Sequence, residues 1–330
     1  MTESGAQSQP VSTQHVPARE LPVPRHLSPE ARRALSQPLP EVVPPYPPLD
    51  DVAAWRERIA QTDQVILTMF KAPPGQLPAI RDLHEDDAKA FELVPVGLPA
   101  GDRRVYLDIH GGGLTNGAGE VCRAMALGTV GMVGARVVSV DYRMPPDHPF
   151  PVGLDDCLTF YRALLRDHDP SEIIVGGASA GGNLAAAVIL KARDEGLPLP
   201  AAAVLVTPEV DLTESGDSFA ANLGVDRTLR ASLMPANLLY AAGHPLTDPY
   251  VSPLFGDFSK GFPPTLLTAG TRDLFLSNAA RMHRALRQAG VAADLHVIEA
   301  LSHGFFGGTP EDADLAREIG LFCRAHWPRT

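Results

Sequence analysis

The segment Gly177-Ala178-Ser179-Ala180-Gly181 sets a serine among four small residues. A serine hydroxyl becomes a nucleophile only where the backbone presents it and a base can take its proton. Glycines two before and two after Ser179 leave room for a tight strand-to-helix turn, the geometry of a nucleophile elbow. A second signal is His110-Gly111-Gly112-Gly113. Three glycines expose backbone N–H groups that no β-carbon shields, and such donors suit an oxyanion hole, each worth about 10²–10³ in rate. The spacing matches neither the dinucleotide fingerprint nor a phosphate loop ending in Gly-Lys. His110 itself reads as the residue that holds this loop.

A serine nucleophile needs a base and an acid that orients it, in the chain order serine, acid, histidine. Of the 11 histidines, His303 lies in SHGFFGG, just past the last expected strand. His283 falls mid-helix and His296 mid-strand, where packing roles are simpler. Two acids compete. Asp273 follows the strand PTLLTAG and Asp211 follows the strand AAVLVT. Asp273 is favoured, because the acid should follow a late strand; Asp211 reads as a carboxylate capping a backbone turn.

These side chains need a frame. From about 90 the sequence alternates short β-branched strands with amphipathic helices. Candidate strands are 91–96, 103–110, 135–142, 172–177, 202–207, 264–270 and 293–299, with helices near 120–133, 153–167, 180–195, 277–289 and 312–326. That alternation predicts an α/β fold with a mainly parallel central sheet flanked by helices. The strand at 172–177 and the helix from 180 flank Ser179 as an elbow requires. One interval breaks the rhythm, the stretch between 207 and 264, which carries a helical piece around 228–242 and is expected to form a lid or substrate-binding element. Eleven of the 32 prolines fall in the first 48 residues, which excludes a regular core element there. Within that stretch Ser28 and Pro29 predict a short helix over 27–35, and a second helix is expected over 50–70.

Composition narrows the function. With 28 Lys+Arg against 39 Asp+Glu the net charge is −11, which argues against a nucleic-acid or anionic-membrane surface. The longest apolar run, Leu184 to Leu190, is far short of the ~20 residues that span a bilayer. The N-terminus has no apolar stretch of signal-peptide type. Cys122, Cys157 and Cys323 fit neither a disulfide framework nor a zinc site. A reduced, cytoplasmic protein is expected, with no metal and no cofactor.

The motifs HGGG (110–113), DYRMPPDHPFP (141–151), GASAGGN (177–183), TRDLF (271–275) and HGF (303–305) occur in one order over about 90–320. In this the chain resembles the hormone-sensitive-lipase-like (family IV) branch of the α/β-hydrolase superfamily. The resemblance implies the triad Ser179, Asp273 and His303, with Gly112, Gly113 and Ala180 supplying the oxyanion N–H groups. It implies a helical cap from 1–60 and a second cap segment at about 210–246, inserted in a core spanning 61–330. Two positions depart from the common pattern: Ala178 stands where an Asp is frequent, and Asp273-Leu274-Phe275 stands where Asp-Pro-Leu is frequent. The expected activity is hydrolysis of short- to medium-chain carboxylic esters through an acyl-enzyme. Lactone hydrolysis at the same triad is the alternative, and amide hydrolysis or dehydration are more distant. A non-catalytic receptor on this fold would lack the histidine that this chain has at 303. The expected partner is a small ester or lactone. Relatives often pair through the last strand and its helix, so a homodimer is a further expectation of the resemblance.

Overall fold

Runs rich in valine, leucine, isoleucine and alanine form the strands β1 (Ala79–Glu85), β2 (Ala88–Val94), β3 (Val105–Ile109), β4 (Arg136–Val140), β5 (Ile173–Ala178), β6 (Ala202–Val206), β7 (Thr265–Gly270) and β8 (Ala293–Ile298). The computed structural model describes residues 13–39, 43–70 and 77–328. Residues 1–12 and 40–42 of the expected N-terminal cap segment lie outside them. The strands make one sheet in the order β1-β2-β4-β3-β5-β6-β7-β8. From β4 to β8 every neighbouring pair is parallel, whereas β2 runs antiparallel to both β1 and β4.

Seven strands were expected and eight are present. The addition is β1, an edge strand paired with β2 alone. Its sequence, AIRDLHE, carries four charged or titratable residues and spaces Ile80 and Leu83 three apart, so no period of two marks it. Half-burial and backbone pairing hold it there, with Glu92 of β2 bridging Arg81 at 2.9 Å and Arg136 at 2.6 Å.

The helices are α1 (Pro29–Ser36), α2 (Val52–Met69), α3 (Glu120–Val133), α4 (Val152–Asp167), α5 (Ala180–Asp194), α6 (Ser218–Ala221), α7 (Met234–Ala241), α8 (Leu276–Gln288) and α9 (Pro310–His326). Because successive strand residues point to opposite faces, β3 feeds two cores. Val105, Leu107 and Ile109 join the layer with α4, α5 and α8, while Tyr106 joins the layer under α3 and α9. Both layers are needed because a parallel sheet is apolar on both faces. Of these helices α5 is the most enclosed, apolar around nearly its whole circumference. No helix of the described residues is long and apolar enough to cross a membrane.

The N-terminal helices have specific anchors. Ser28 caps α1 by accepting from the Ala31 N–H at 3.1 Å. Its own N–H and hydroxyl donate to the Glu311 carboxylate at 2.7 and 2.8 Å. Leu27, Ala31 and Leu35 then pack on Ala300, three residues before His303. Asp51 caps α2, and the buried Trp55 donates through Nε1 to the Pro48 carbonyl at 3.0 Å. Helix α2 runs unbroken through position 60. In the long interval after β6, α7 covers part of the expected helical piece at 228–242, and α6 is a short helix that the sequence did not signal.

A very close approach of backbone to backbone lies between β3 and the start of α5. A β-carbon on Gly181 would sit 1.8 Å from the Ile109 carbonyl oxygen, a backbone atom that cannot move aside. Gly181→Ala should therefore push α5 off the sheet and destabilise the protein by at least ~3 kcal/mol. Urea unfolding of the purified variant checks this; an unchanged midpoint would show that strand and helix can separate at no cost.

Candidate active site

Ser179 is the single residue between the end of β5 and the start of α5, at φ 57° and ψ −123°. Such a conformation costs a non-glycine residue about 1–3 kcal/mol and persists only where its surroundings over-determine it. Here they do. The Ser179 N–H donates to the Val206 carbonyl at 2.8 Å, and its carbonyl accepts from the N–H groups of Gly182, Glu209 and Asn183 at 2.9, 3.1 and 3.2 Å. Its hydroxyl is thereby presented at the C-terminal edge of the sheet. Ser179 Oγ lies 2.9 Å from His303 Nε2, and His303 Nδ1 lies 3.2 Å from Asp273 Oδ1. The loops after β7 and β8 carry the latter two. Asp273 Oδ1 also accepts from the Phe275 N–H at 2.8 Å, and the Phe275 ring meets the imidazole edge-on at 4.8 Å. The three residues expected from the sequence are thus brought into one line.

The glycine-rich loop sits beside that line. Gly112 has φ 134° and Gly113 φ 60°, and a β-carbon on Gly112 would lie 2.0 Å from the Asn116 carbonyl oxygen. The Gly112 carbonyl accepts from the N–H groups of Asn116 and Thr115, at 2.9 and 3.2 Å. Helix α2 pins the far end: Asp63 accepts from Asn116 Nδ2 and the Gly117 N–H, both at 3.0 Å, and Asn116 Nδ2 also reaches the Ile59 carbonyl at 3.0 Å. Ala180 is the first residue of α5, so its N–H is one of the donors that a helix start leaves without an intrahelical partner. His110 is buried, with Nδ1 2.8 Å from the Gly111 carbonyl and its ring stacked on Tyr142 at 4.1 Å. Burial pushes its pKa down to about 4, so the ring is neutral. With Cys122 and Asp141 it forms a group whose donor atoms lie within 4.8 Å of one another. Burial keeps that thiol protonated, and Asp141 accepts from the Gly119 N–H at 2.8 Å.

Asp211 is not in the line. Its carboxylate accepts from the Thr213 N–H and hydroxyl, from the Ser215 hydroxyl at 2.7 Å and from Arg281 at 2.5 Å. It closes a turn, as the sequence suggested. Two other acids do stand close to the histidine, and no motif pointed to them. Asp226, in the segment between β6 and β7, accepts from the backbone N–H of Leu274 at 2.9 Å and of His303 at 3.3 Å. Glu209, just after β6, is buried, and neither of its carboxyl oxygens has a hydrogen-bond partner among the described residues. Burial, aided by Glu214 and opposed by His303, pushes the Glu209 pKa up to about 8. For His303 burial disfavours the charged imidazolium, but Asp273, Asp226 and Glu209 outweigh it and hold the pKa above the usual histidine value.

The chain has relatives. A family model described as alpha/beta hydrolase fold matches residues 106–307. An acetyl-hydrolase of Streptomyces hygroscopicus is 35% identical over 228 residues, which is 68% of this chain and 76% of the relative. A carboxylesterase of Mycobacterium tuberculosis is 30% identical over 266 residues, 72% of this chain and 80% of the relative. The crystal structure of an esterase superposes with a TM-score of 0.87 at 34% identity, covering 96% of this chain and 99% of the other. That of an esterase from the bacterial hormone-sensitive lipase family gives 0.77 at 30% identity, with 91% and 99% covered.

The buried acid gives a stability test with a definite sign. A carboxyl whose folded pKa is raised contributes stability that is complete below the unfolded value of about 4.3 and is lost as pH climbs through the folded one. Wild-type stability should therefore fall relative to Glu209→Gln between about pH 4.5 and pH 8. Thermal melts of both proteins at pH 5, 7 and 9 should show the variant gaining on the wild type at each step. A constant difference across that range would mean that Glu209 is already ionised in the native state.

Proposed function

We propose, from the premise that the chain belongs to the alpha/beta hydrolase fold family and to its hormone-sensitive-lipase-like branch, that it is a serine carboxylesterase. Its substrates are short- to medium-chain carboxylic esters. The observation that carries this reading is the line from Ser179 Oγ through His303 to Asp273, at 2.9 and 3.2 Å. Curated relatives named as an acetyl-hydrolase and a carboxylesterase support it.

The chemistry follows from the positions. Neutral His303 takes the hydroxyl proton through Nε2 as Ser179 Oγ bonds to the ester carbonyl carbon. The carbonyl π electrons move to oxygen, and the oxyanion is met by the N–H groups of Gly112, Gly113 and Ala180. Asp273 holds the Nδ1 proton and stabilises the imidazolium. The C–O bond then breaks, and the leaving alkoxide takes the proton from Nε2. A water that loses its proton to the same nitrogen attacks the acyl carbon; the C–Oγ bond then breaks, Ser179 Oγ takes the proton from Nε2, and the acid leaves. Raising the His303 pKa makes the ring a stronger base at the cost of a higher pH for its neutral form.

The two-part cap belongs to the same reading. Segments 1–60 and about 210–246 would cover the sheet edge where Ser179 emerges. Supporting this, Arg227 donates to the carbonyls of Leu35 and Gln37 at 3.1 and 2.6 Å, and Arg272 to that of Pro22 at 2.8 Å. The N-terminal segment therefore touches residues adjacent to Asp226 and Asp273. A cap would exclude water and bury acyl methylenes, each contributing about 0.8 kcal/mol.

Ser179→Ala should lower kcat on p-nitrophenyl butyrate by at least ~10³, because base and oxyanion hole cannot replace the nucleophile. Retention of a tenth of wild-type activity would refute the assignment. The acids separate in a second experiment. Asp273→Asn should cost kcat ~10²–10⁴-fold and move the acid limb of kcat/KM from above about 6.5 toward lower pH. Asp211→Asn should instead lower the melting temperature and leave that limb in place. The reverse pattern would exchange their roles.

A further inference from the structure

We infer that Asp226 is a positioning residue for this reaction, one carboxylate of the inserted segment that fixes the acid-bearing and base-bearing loops against each other and adds its charge behind His303. The inference rests on the triad reading above and extends it to a residue outside the triad.

The carboxylate is fully buried and each oxygen has a defined task. Oδ1 accepts from the N–H groups of Thr228 and Leu229 at 2.8 and 3.0 Å, so the carboxylate is locked to its own turn. Oδ2 accepts from the Leu274 N–H at 2.9 Å, next to Asp273. Both oxygens lie 3.3 Å from the backbone nitrogen of His303. Two triad members are thus gripped from behind by one group: residue 273 through its neighbour and residue 303 through its own N–H. The surroundings extend the grip. Asn222, at the end of α6, donates to the Asp273 carbonyl at 2.8 Å, and the Arg227 N–H donates to the Ser302 hydroxyl at 3.1 Å. Ser218 donates to the Leu274 carbonyl at 2.5 Å. One insertion therefore holds both sides of the His303–Asp273 contact.

The need for it is physical. The 3.2 Å contact between His303 and Asp273 joins two loops that leave the sheet from different strands. The loop bases are tied by the Arg272 N–H to the Leu301 carbonyl at 3.0 Å and by the Ala300 N–H to the Thr271 hydroxyl at 2.8 Å, which leaves residues 273 and 303 themselves to be set, and a misplacement of about 1 Å costs ~10²-fold in rate. The charge adds to the geometry. The charged or titratable groups that face His303 are Asp273 from the loop after β7, Asp226 from the insertion and Glu209 from the loop after β6. Asp226 favours the imidazolium that forms as Ser179 attacks.

The test is Asp226→Asn, which keeps the volume, loses the charge and turns a donor toward one of the N–H groups. The expected result is a folded protein whose kcat falls about 10–100-fold with KM changed less than about threefold, and whose acid limb of kcat/KM moves to lower pH. A merely structural tie would not move that limb. A folded variant with kcat within twofold of wild type, or a lower kcat with an unmoved limb, overturns the inference. Should Asp226→Asn not fold, amide hydrogen exchange on the wild-type protein decides: the N–H groups of Leu274 and His303 should exchange slowly although both lie outside regular structure. Fast exchange at both overturns the inference. Ser179→Ala in the same assay keeps the two readings apart, since it abolishes turnover if the triad holds, whatever Asp226 does.

Discussion

The left-handed backbone of Ser179 is the constraint on which the rest of the site depends. An L-residue at φ 57° sits there only because its N–H is bound to β6 and its carbonyl is shared among three N–H donors. Relaxing the serine would unmake those bonds together. The local strain of about 1–3 kcal/mol is thus carried by the sheet and by α5. In return the hydroxyl stands clear of its own backbone at a helix start, where N–H groups point outward. Gly181 is the matching requirement two residues on, since a side chain there would meet the Ile109 carbonyl.

Parallel strand order does the remaining positioning. In a parallel stretch from β4 to β8 the C-terminal ends lie on one edge. The glycine loop after β3, the elbow after β5, Glu209 after β6, Asp273 after β7 and His303 after β8 therefore arrive at one place from five connections. Such convergence at the carboxyl ends of parallel strands is the general habit of open α/β sheets. The loops need restraint once they leave the sheet. Asp63 of α2 restrains the glycine loop, and Asp226 restrains the other two. Helix α1 contributes more remotely, by packing on Ala300 and binding the first turn of α9 through Glu311.

Much of this was legible in the sequence, and the reasons differ by residue. Ser179 and the HGGG loop announce themselves because glycine is demanded by close approach, and that demand leaves a local pattern. His303 could be chosen from 11 histidines because it alone follows the final strand closely. Asp273 and Asp211 both follow strands, and the hydrogen bonds that separate them are tertiary. Asp226 and Glu209 left no signal of function. Asp226 has the look of a turn-capping residue, Asp-Arg-Thr, and its bonds to Leu274 and His303 span 48 and 77 positions of chain. Glu209 stands in PEVDL two residues before Asp211, and its meaning lies wholly in its burial. The edge strand β1 escaped because it is held by backbone pairing more than by apolar alternation.

The most direct test of the central claim is chemical labelling of the native protein with a fluorophosphonate, which reacts only with an activated serine: Oγ bonds to phosphorus and fluoride leaves. Peptide mapping by mass spectrometry should find one adduct, on Ser179, formed in step with the loss of esterase activity. Activity lost with Ser179 unmodified, or an adduct on another serine, would contradict the account.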